Sequence, residues 1–148
     1  MSSVIYNAAK KKLCDGTIAF ITDTIKCMLV SSAYTPNADD EFVDAITASP
    51  SAELSGTGYV AGFGGAGRKS LTANAINVDN VNDRAEFDAA DLTWSAIDAG
   101  TIKYLVLIKE VTNDAASHLI AAIDIGSQAT NGGDITVTWN AEGILQLT

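Results

Sequence analysis

A period-two alternation of apolar and polar residues runs through short segments of the second half of the chain. Ala85 and Phe87 alternate with charged residues, and Ile135 and Val137 alternate with threonine. Such alternation is typical of antiparallel strands with one face in water. Turn-forming residues separate the segments, and no long helical pattern lies between them as a parallel βαβ sheet would require. The sequence therefore predicts an all-β domain, an antiparallel β-sandwich or jelly roll with a short N-terminal helix.

The N-terminal residues carry the one clear helical pattern. Ile5, Ala9 and Leu13 recur at helical spacing, Ser3 is positioned to cap the helix, and Asp15-Gly16 can end it. A second, single helical turn is expected within residues 39–46. We predict an N-terminal helix or arm over residues 1–16 and a single β-sandwich domain over residues 17–148. The predicted strands are residues 17–21, 25–31, 58–61, 71–78, 84–89, 102–111, 119–125, 135–139 and 144–147.

Composition excludes several classes of protein. The chain has 148 residues, 18 acids, 9 basic residues and a net charge of −9, yet 47% of it is hydrophobic. A disordered acidic tail would have far fewer apolar residues, and a nucleic-acid-binding surface would need a basic stripe. The longest apolar run, residues 104–108, has the length of a strand and not of a membrane helix. We expect no export signal. We also expect that neither nucleic acid nor a membrane is a partner of this chain.

Reactive side chains are few. Cys14 and Cys27 are too far apart for a redox motif and are predicted to be reduced thiols. The single histidine, His118, excludes sites built on two histidines and is interpreted as a turn or strand-end residue. Counting cannot exclude a Ser-His-Asp triad, although the chain has no G-x-S-x-G motif. We expect no catalytic residues, no cofactor and no metal.

A glycine-rich segment from Gly62 to Gly67 matches G-x-G-x-x-G. A dinucleotide site would need this turn to leave a strand and open a helix. The residues that follow, beginning at Leu71, favour a strand, and Lys69 comes one position too late for a phosphate-binding P-loop. We interpret the segment as a loop between strands.

The acidic residues suggest one possible binding function and the aromatic residues suggest another. A loop that gathered the acids could bind calcium, although the order of an EF-hand is missing, and solvated acids are the simpler interpretation. Exposed aromatics at a loop rim would favour a carbohydrate- or receptor-binding module, although both tryptophans lie in strand patterns and resemble core residues. The acids are Asp79, Asp83, Glu86, Asp88 and Asp91, and the aromatics are Tyr59, Trp94 and Trp139.

Several strings along nearly the whole chain together resemble a family of small virion structural proteins of tailed bacteriophages. They are DGTI at residues 15–18, TDTIK at 22–26, LVxSxYxP at 29–36, ELSGTGY at 53–59, NDRAxFDAxDxTW at 82–94 and WNAxGIL at 139–145. The glycine-rich residues 62–67 match the family least well.

The resemblance implies a non-enzymatic, homo-oligomeric component of the virion, assembled in the host bacterial cytoplasm. Its expected partners are the major capsid protein or other virion proteins. Capsid decoration (cement) is the leading position, with neck or tail and a receptor-binding module of a fibre or tail tip as alternatives. An N-terminal arm could lock neighbours together, with Ile5, Tyr6 and Leu13 as its anchors.

Overall fold

Strands dominate the computed structural model, which describes residues 3–48 and 50–148. Strands account for 39% of the chain and helices for 8%, which confirms the predicted all-β class with a short N-terminal helix. The strands are β1 (Val4–Ile5), β2 (Ile25–Val30), β3 (Lys69–Ser70), β4 (Ala75–Asp79), β5 (Arg84–Asp88), β6 (Leu92–Trp94), β7 (Thr101–Lys109), β8 (His118–Ala129), β9 (Ile135–Val137) and β10 (Leu145–Leu147). The helices are α1 (Asn7–Cys14) and α2 (Asp44–Thr47).

The strands form three antiparallel sheets. The largest has five strands in the order β1-β8-β7-β2-β3, the second has three in the order β10-β5-β4, and β6 pairs with β9. The long strands β7 and β8 lie in the middle of the five-stranded sheet. They pair with each other from Thr101–Ala129 to Lys109–His118. Residues 104–108 of β7 and 119–122 of β8 are buried, so both strands contribute to the core.

One continuous hydrophobic cluster joins the sheets. Leu107 and Leu119 of the five-stranded sheet belong to the same buried cluster as Phe87 of β5 and Trp94 of β6. The ring of Phe87 stacks on Phe20 with 4.0 Å between ring centroids. This contact fixes the three-stranded sheet against the loop that precedes β2.

The N-terminal segment differs from the prediction in its first residues. Ser3 does not cap α1; its hydroxyl accepts a hydrogen bond from the backbone N–H of Asp124 at 3.2 Å. Val4 and Ile5 instead extend the main sheet as β1, paired with β8, and the N-cap of α1 is Tyr6. The predicted helix end is confirmed, since α1 stops at Cys14 and Gly16 has a φ of 77°.

Two predicted strands are wrong and a third begins too early, and each of these differences has a local cause. Residues 17–21 form a turn, because the Asp23 carboxylate accepts the backbone N–H of Ala19 at 2.7 Å. Residues 58–61 are not a strand, because Gly56 and Tyr59 close a tight turn on each other. The strand predicted from residue 71 begins only at Ala75, after Ala73 with a φ of 53°. The short strands β1, β3 and β6 have no counterpart among the predicted strands.

Replacing a core leucine is expected to cost far more stability than replacing an exposed one. Leu107 is fully buried in β7, whereas 59% of Leu147 in β10 is exposed. Leu107→Ala should lower the free energy of unfolding by about 2–5 kcal/mol through lost burial and a cavity. Leu147→Ala is the matched control and should cost under about 1 kcal/mol. Urea unfolding measures both, and equal losses would contradict the assigned core.

Candidate functional site

A buried ionic cluster occupies the position where the sequence shows its glycine-rich motif. The guanidinium of Arg68 donates to both carboxylate oxygens of Glu53, at 2.9 Å and 2.7 Å. It also donates to both oxygens of Asp114, at 2.6 Å and 3.0 Å. The side chain of Arg68 has no exposed surface and that of Glu53 is 1% exposed. One buried cation is therefore shared by two carboxylates.

The other hydrogen bonds to Glu53 come from residues that lie close to it in the sequence. The hydroxyl of Tyr59 donates to Glu53 at 3.0 Å and accepts the backbone N–H of Leu29 at 3.0 Å. Burial, together with the charge of Glu53, raises the pKa of Tyr59, so its hydroxyl stays protonated. The backbone N–H of Gly62 donates to the second Glu53 oxygen at 3.0 Å. Both oxygens of Glu53 are thus occupied within the chain.

Two glycines of residues 62–67, Gly65 and Gly67, lie where the surrounding chain leaves no room for a side chain. A Cβ added at Gly67 would lie 2.6 Å from the Tyr59 ring, and one at Gly65 would lie 2.3 Å from the carbonyl oxygen of Val60. The carbonyl of Gly67 also accepts the indole N–H of Trp94 at 2.6 Å. The segment leads into the strand β3 and not into a helix. The geometry of a dinucleotide-binding turn is therefore not formed here.

A methyl group at residue 67 is expected to disturb this packing. Gly67→Ala should lower the free energy of unfolding by about 1–3 kcal/mol, because the Tyr59 ring must move away from its hydrogen bonds. Gly133→Ala is the matched control, since its added Cβ would meet only the side chain of Asn131 at 3.5 Å. Thermal and urea unfolding of both variants test this. A Gly67→Ala protein as stable as Gly133→Ala would contradict the described packing.

Stability at acidic pH is expected to depend on Asp114. Burial raises the pKa of this carboxyl, but hydrogen bonds from Arg68 and its charge outweigh burial, so the pKa lies below its ordinary value. The stabilisation is complete above the unfolded-state pKa of about 3.9 and is lost as the pH falls through the lower folded-state pKa. Asp114→Asn should therefore cost about 1–3 kcal/mol at pH 7 and flatten the loss of stability below about pH 4.

Urea unfolding at pH 7 and pH 3 checks the role of Asp114. Asp98→Asn is the control, because it removes an exposed carboxylate of the same charge. A pH dependence as steep in Asp114→Asn as in Asp98→Asn would contradict the prediction.

His118 lies in a second polar cluster, at the first position of β8, which confirms the predicted strand-end location. Its Nδ1 is 2.7 Å from the ammonium of Lys12, and that ammonium also contacts Glu41 at 2.6 Å. Burial first, and then the charges of Lys12 and Lys109, lower the pKa of His118. The neutral ring therefore accepts a hydrogen bond from Lys12, and the contact connects α1 to the main sheet.

The five acids singled out in the sequence are spread along the β4–β5 hairpin and the segment after it. Asp79 accepts hydrogen bonds from Asn82, Glu86 pairs with Arg84 at 2.8 Å, and Asp91 accepts the backbone N–H of Trp139 at 3.1 Å. Across residues 3–48 and 50–148, no three His, Cys, Asp or Glu side chains are grouped so as to hold a metal ion. Asp79, Glu86 and Asp91 instead form hydrogen bonds and an ion pair within the chain.

The aromatic residues considered for ligand binding do not form an exposed rim. Tyr59 and Trp94 are 0% and 1% exposed. Trp139 is half-buried and donates its indole N–H to the carbonyl of Ala90 at 3.1 Å.

The two cysteines are free thiols, with Cys14 exposed and Cys27 buried.

One open surface of the molecule combines apolar side chains with polar ones. A groove of about 700 Å³ lies between β7, β8 and the segment around β9. Its apolar lining includes Ile102, Leu105, Ile123, Ile125, Ile135, Val137, Trp139 and Ile144. Such apolar surface is typical of contact with another macromolecule.

A second apolar surface lies on the hairpin of β4 and β5, called here the exposed hairpin (residues 75–88). Ile76, Val78 and, at its turn, Val81 are 53%, 72% and 90% exposed. Sequence reasoning assigned β-structure to this region but missed its exposure. Val81 lies between the turn-forming residues Asn80 and Asn82. This placement in a turn is the sequence signal that could have predicted its exposure.

Comparison with protein-family models, with curated proteins and with solved structures finds no match. Among the described residues, no helix has the length and apolar character needed to cross a membrane. The resemblance to phage virion proteins stays a prediction.

Proposed function

We propose that this chain is a non-enzymatic structural protein of a tailed-bacteriophage particle, a decoration protein that stabilises the head through protein–protein contacts. The observation that carries the proposal is the open apolar surface of the groove and the exposed hairpin. Exposed apolar side chains grouped in this way favour a protein partner. The resemblance of the sequence strings to virion structural proteins supports a phage particle as the setting.

The polar clusters support a structural role. Arg68 and Glu53 are enclosed and hydrogen-bonded to each other, and His118 is held by Lys12. These groups stabilise the domain through hydrogen bonds within the chain. His118, the histidine that sequence reasoning considered for chemistry, thus contributes to folding.

The charge of the chain suits dense display on a capsid. A net charge of −9 keeps neighbouring copies soluble and disfavours contact with packaged DNA. The proposed partners are the major capsid protein or other virion proteins and further copies of this chain, with no nucleic acid or membrane among them. The proposed location is the virion, after assembly in the host bacterial cytoplasm.

The number of copies per particle tests the position on the virion. Quantitative mass spectrometry of purified particles of the encoding phage should give a copy number comparable to that of the major capsid protein. Electron microscopy of the same particles should place the protein on the outer surface of the head. A few copies per particle would overturn decoration in favour of the neck or tail, and absence from particles would overturn the virion proposal altogether.

A further inference from the structure

The strand β4 is an open edge of the three-stranded sheet. In the order β10-β5-β4 it has a neighbour on one side, the strand β5. Among the residues that the structure describes, no strand pairs with its outer side. Its outer backbone N–H and C=O groups are therefore available to another strand.

The sequence of β4 lacks the usual protection of an edge. Natural edge strands carry charged residues, proline or bulges along their length. In β4 the residues Ile76, Asn77 and Val78 are uncharged, and the one charge, Asp79, is at the strand end. Asp79 is already paired with Arg84 at 3.3 Å within the same chain. The edge is therefore open to strand addition.

The exposed apolar side chains of β4, Ile76 and Val78, lie on one face of its sheet. Ile76 is opposite Phe87 of β5, and Val78 is opposite Ala85. Because side chains alternate with period two, Ile76 and Val78 share the face that includes the core residue Phe87. Ile76 also lines an apolar cleft of about 200 Å³ together with Phe20. This face continues from the core into open surface.

We propose that β4 pairs with β4 of a second copy of this chain, antiparallel and centred on Asn77. The two three-stranded sheets then form one continuous six-stranded sheet about a twofold axis. This register pairs all five residues of β4. The inference rests on the proposed role as a homo-oligomeric structural protein and names the surface through which two copies meet.

The side chains of β4 are complementary to themselves in this register. Ile76 of one copy lies opposite Val78 of the other, at the cross-strand separation where apolar pairs pack. Val78 of the second copy thus comes to the mouth of the cleft that Ile76 lines. Asp79 lies opposite Ala75, so like charges do not face each other, and the two Asn77 amides meet at the axis. A second copy is therefore the partner that this strand fits.

Charge substitution on the edge tests the dimer. Sedimentation velocity of the purified protein should show a dimer, and Val78→Lys should weaken its association at least about 10-fold, since lysine blocks edge pairing. Val81→Lys adds the same charge at the turn of the hairpin and should leave the dimer intact. Melting temperatures confirm that both variants fold. A wild-type monomer at about 100 μM, or equal weakening by both variants, would overturn the proposal.

Cysteine cross-linking tests the register. In a Cys14→Ser background, Asn77→Cys should form an intermolecular disulfide on mild oxidation, because opposed residues of antiparallel strands have Cα atoms about 4.5–5.5 Å apart. Val81→Cys is the control and should remain largely monomeric on a denaturing gel. Cross-linking as efficient at residue 81 as at residue 77 would overturn the edge pairing.

These experiments separate the dimer from the virion proposal, since neither needs a particle. A monomer in solution together with a capsid-like copy number on particles would overturn the dimer alone. A cross-linked dimer together with absence from particles would overturn the virion role alone.

Discussion

The buried guanidinium of Arg68 is the constraint on which much of the structure depends. A buried charge without partners costs several kcal/mol, so a fold that encloses Arg68 must also bring carboxylates to it. Glu53 and Asp114 lie 15 and 46 residues away in sequence. Their ion pairs hold together the chain beside β2, the glycine-rich residues 62–67 and the loop between β7 and β8. Losing one carboxylate would leave the cation only partly compensated.

The same constraint explains a motif that resembles a nucleotide site. Glu53 needs donors at both oxygens, and Tyr59 and the N–H of Gly62 supply them. The chain must then pass over the Tyr59 ring at residue 67, where a Cβ would come within 2.6 Å. Glycine is required there because backbone and ring are in contact. The other two glycines of the G-x-G-x-x-G pattern, Gly62 and Gly64, have a positive φ that favours glycine. The pattern can thus arise from close packing at residue 67 and from turn conformation at residues 62 and 64, without phosphate chemistry.

Local patterns predicted the strands more successfully than the contacts between them. The alternation around Phe87 and in β9 identified strands, because period two depends only on nearby residues. The predictions failed where a hydrogen bond, local or to a distant residue, overrode the conformation that the local pattern favours. Ser3 bonds to Asp124 rather than capping α1, and Asp23 turns the predicted strand at residues 17–21. The Arg68 cluster could not be predicted, since ion pairing across 46 residues leaves no local signal.

The exposed hairpin shows a further limit of pattern reasoning. Ile76 and Phe87 are paired across β4 and β5 on one face, yet Phe87 is 3% exposed and Ile76 53%. Both match the same alternating pattern, because alternation specifies a face and not what covers it. The stack of Phe87 on Phe20 covers the near part of this face. The outer part projects past the core, so its apolar side chains gain burial only if another chain supplies the missing layer.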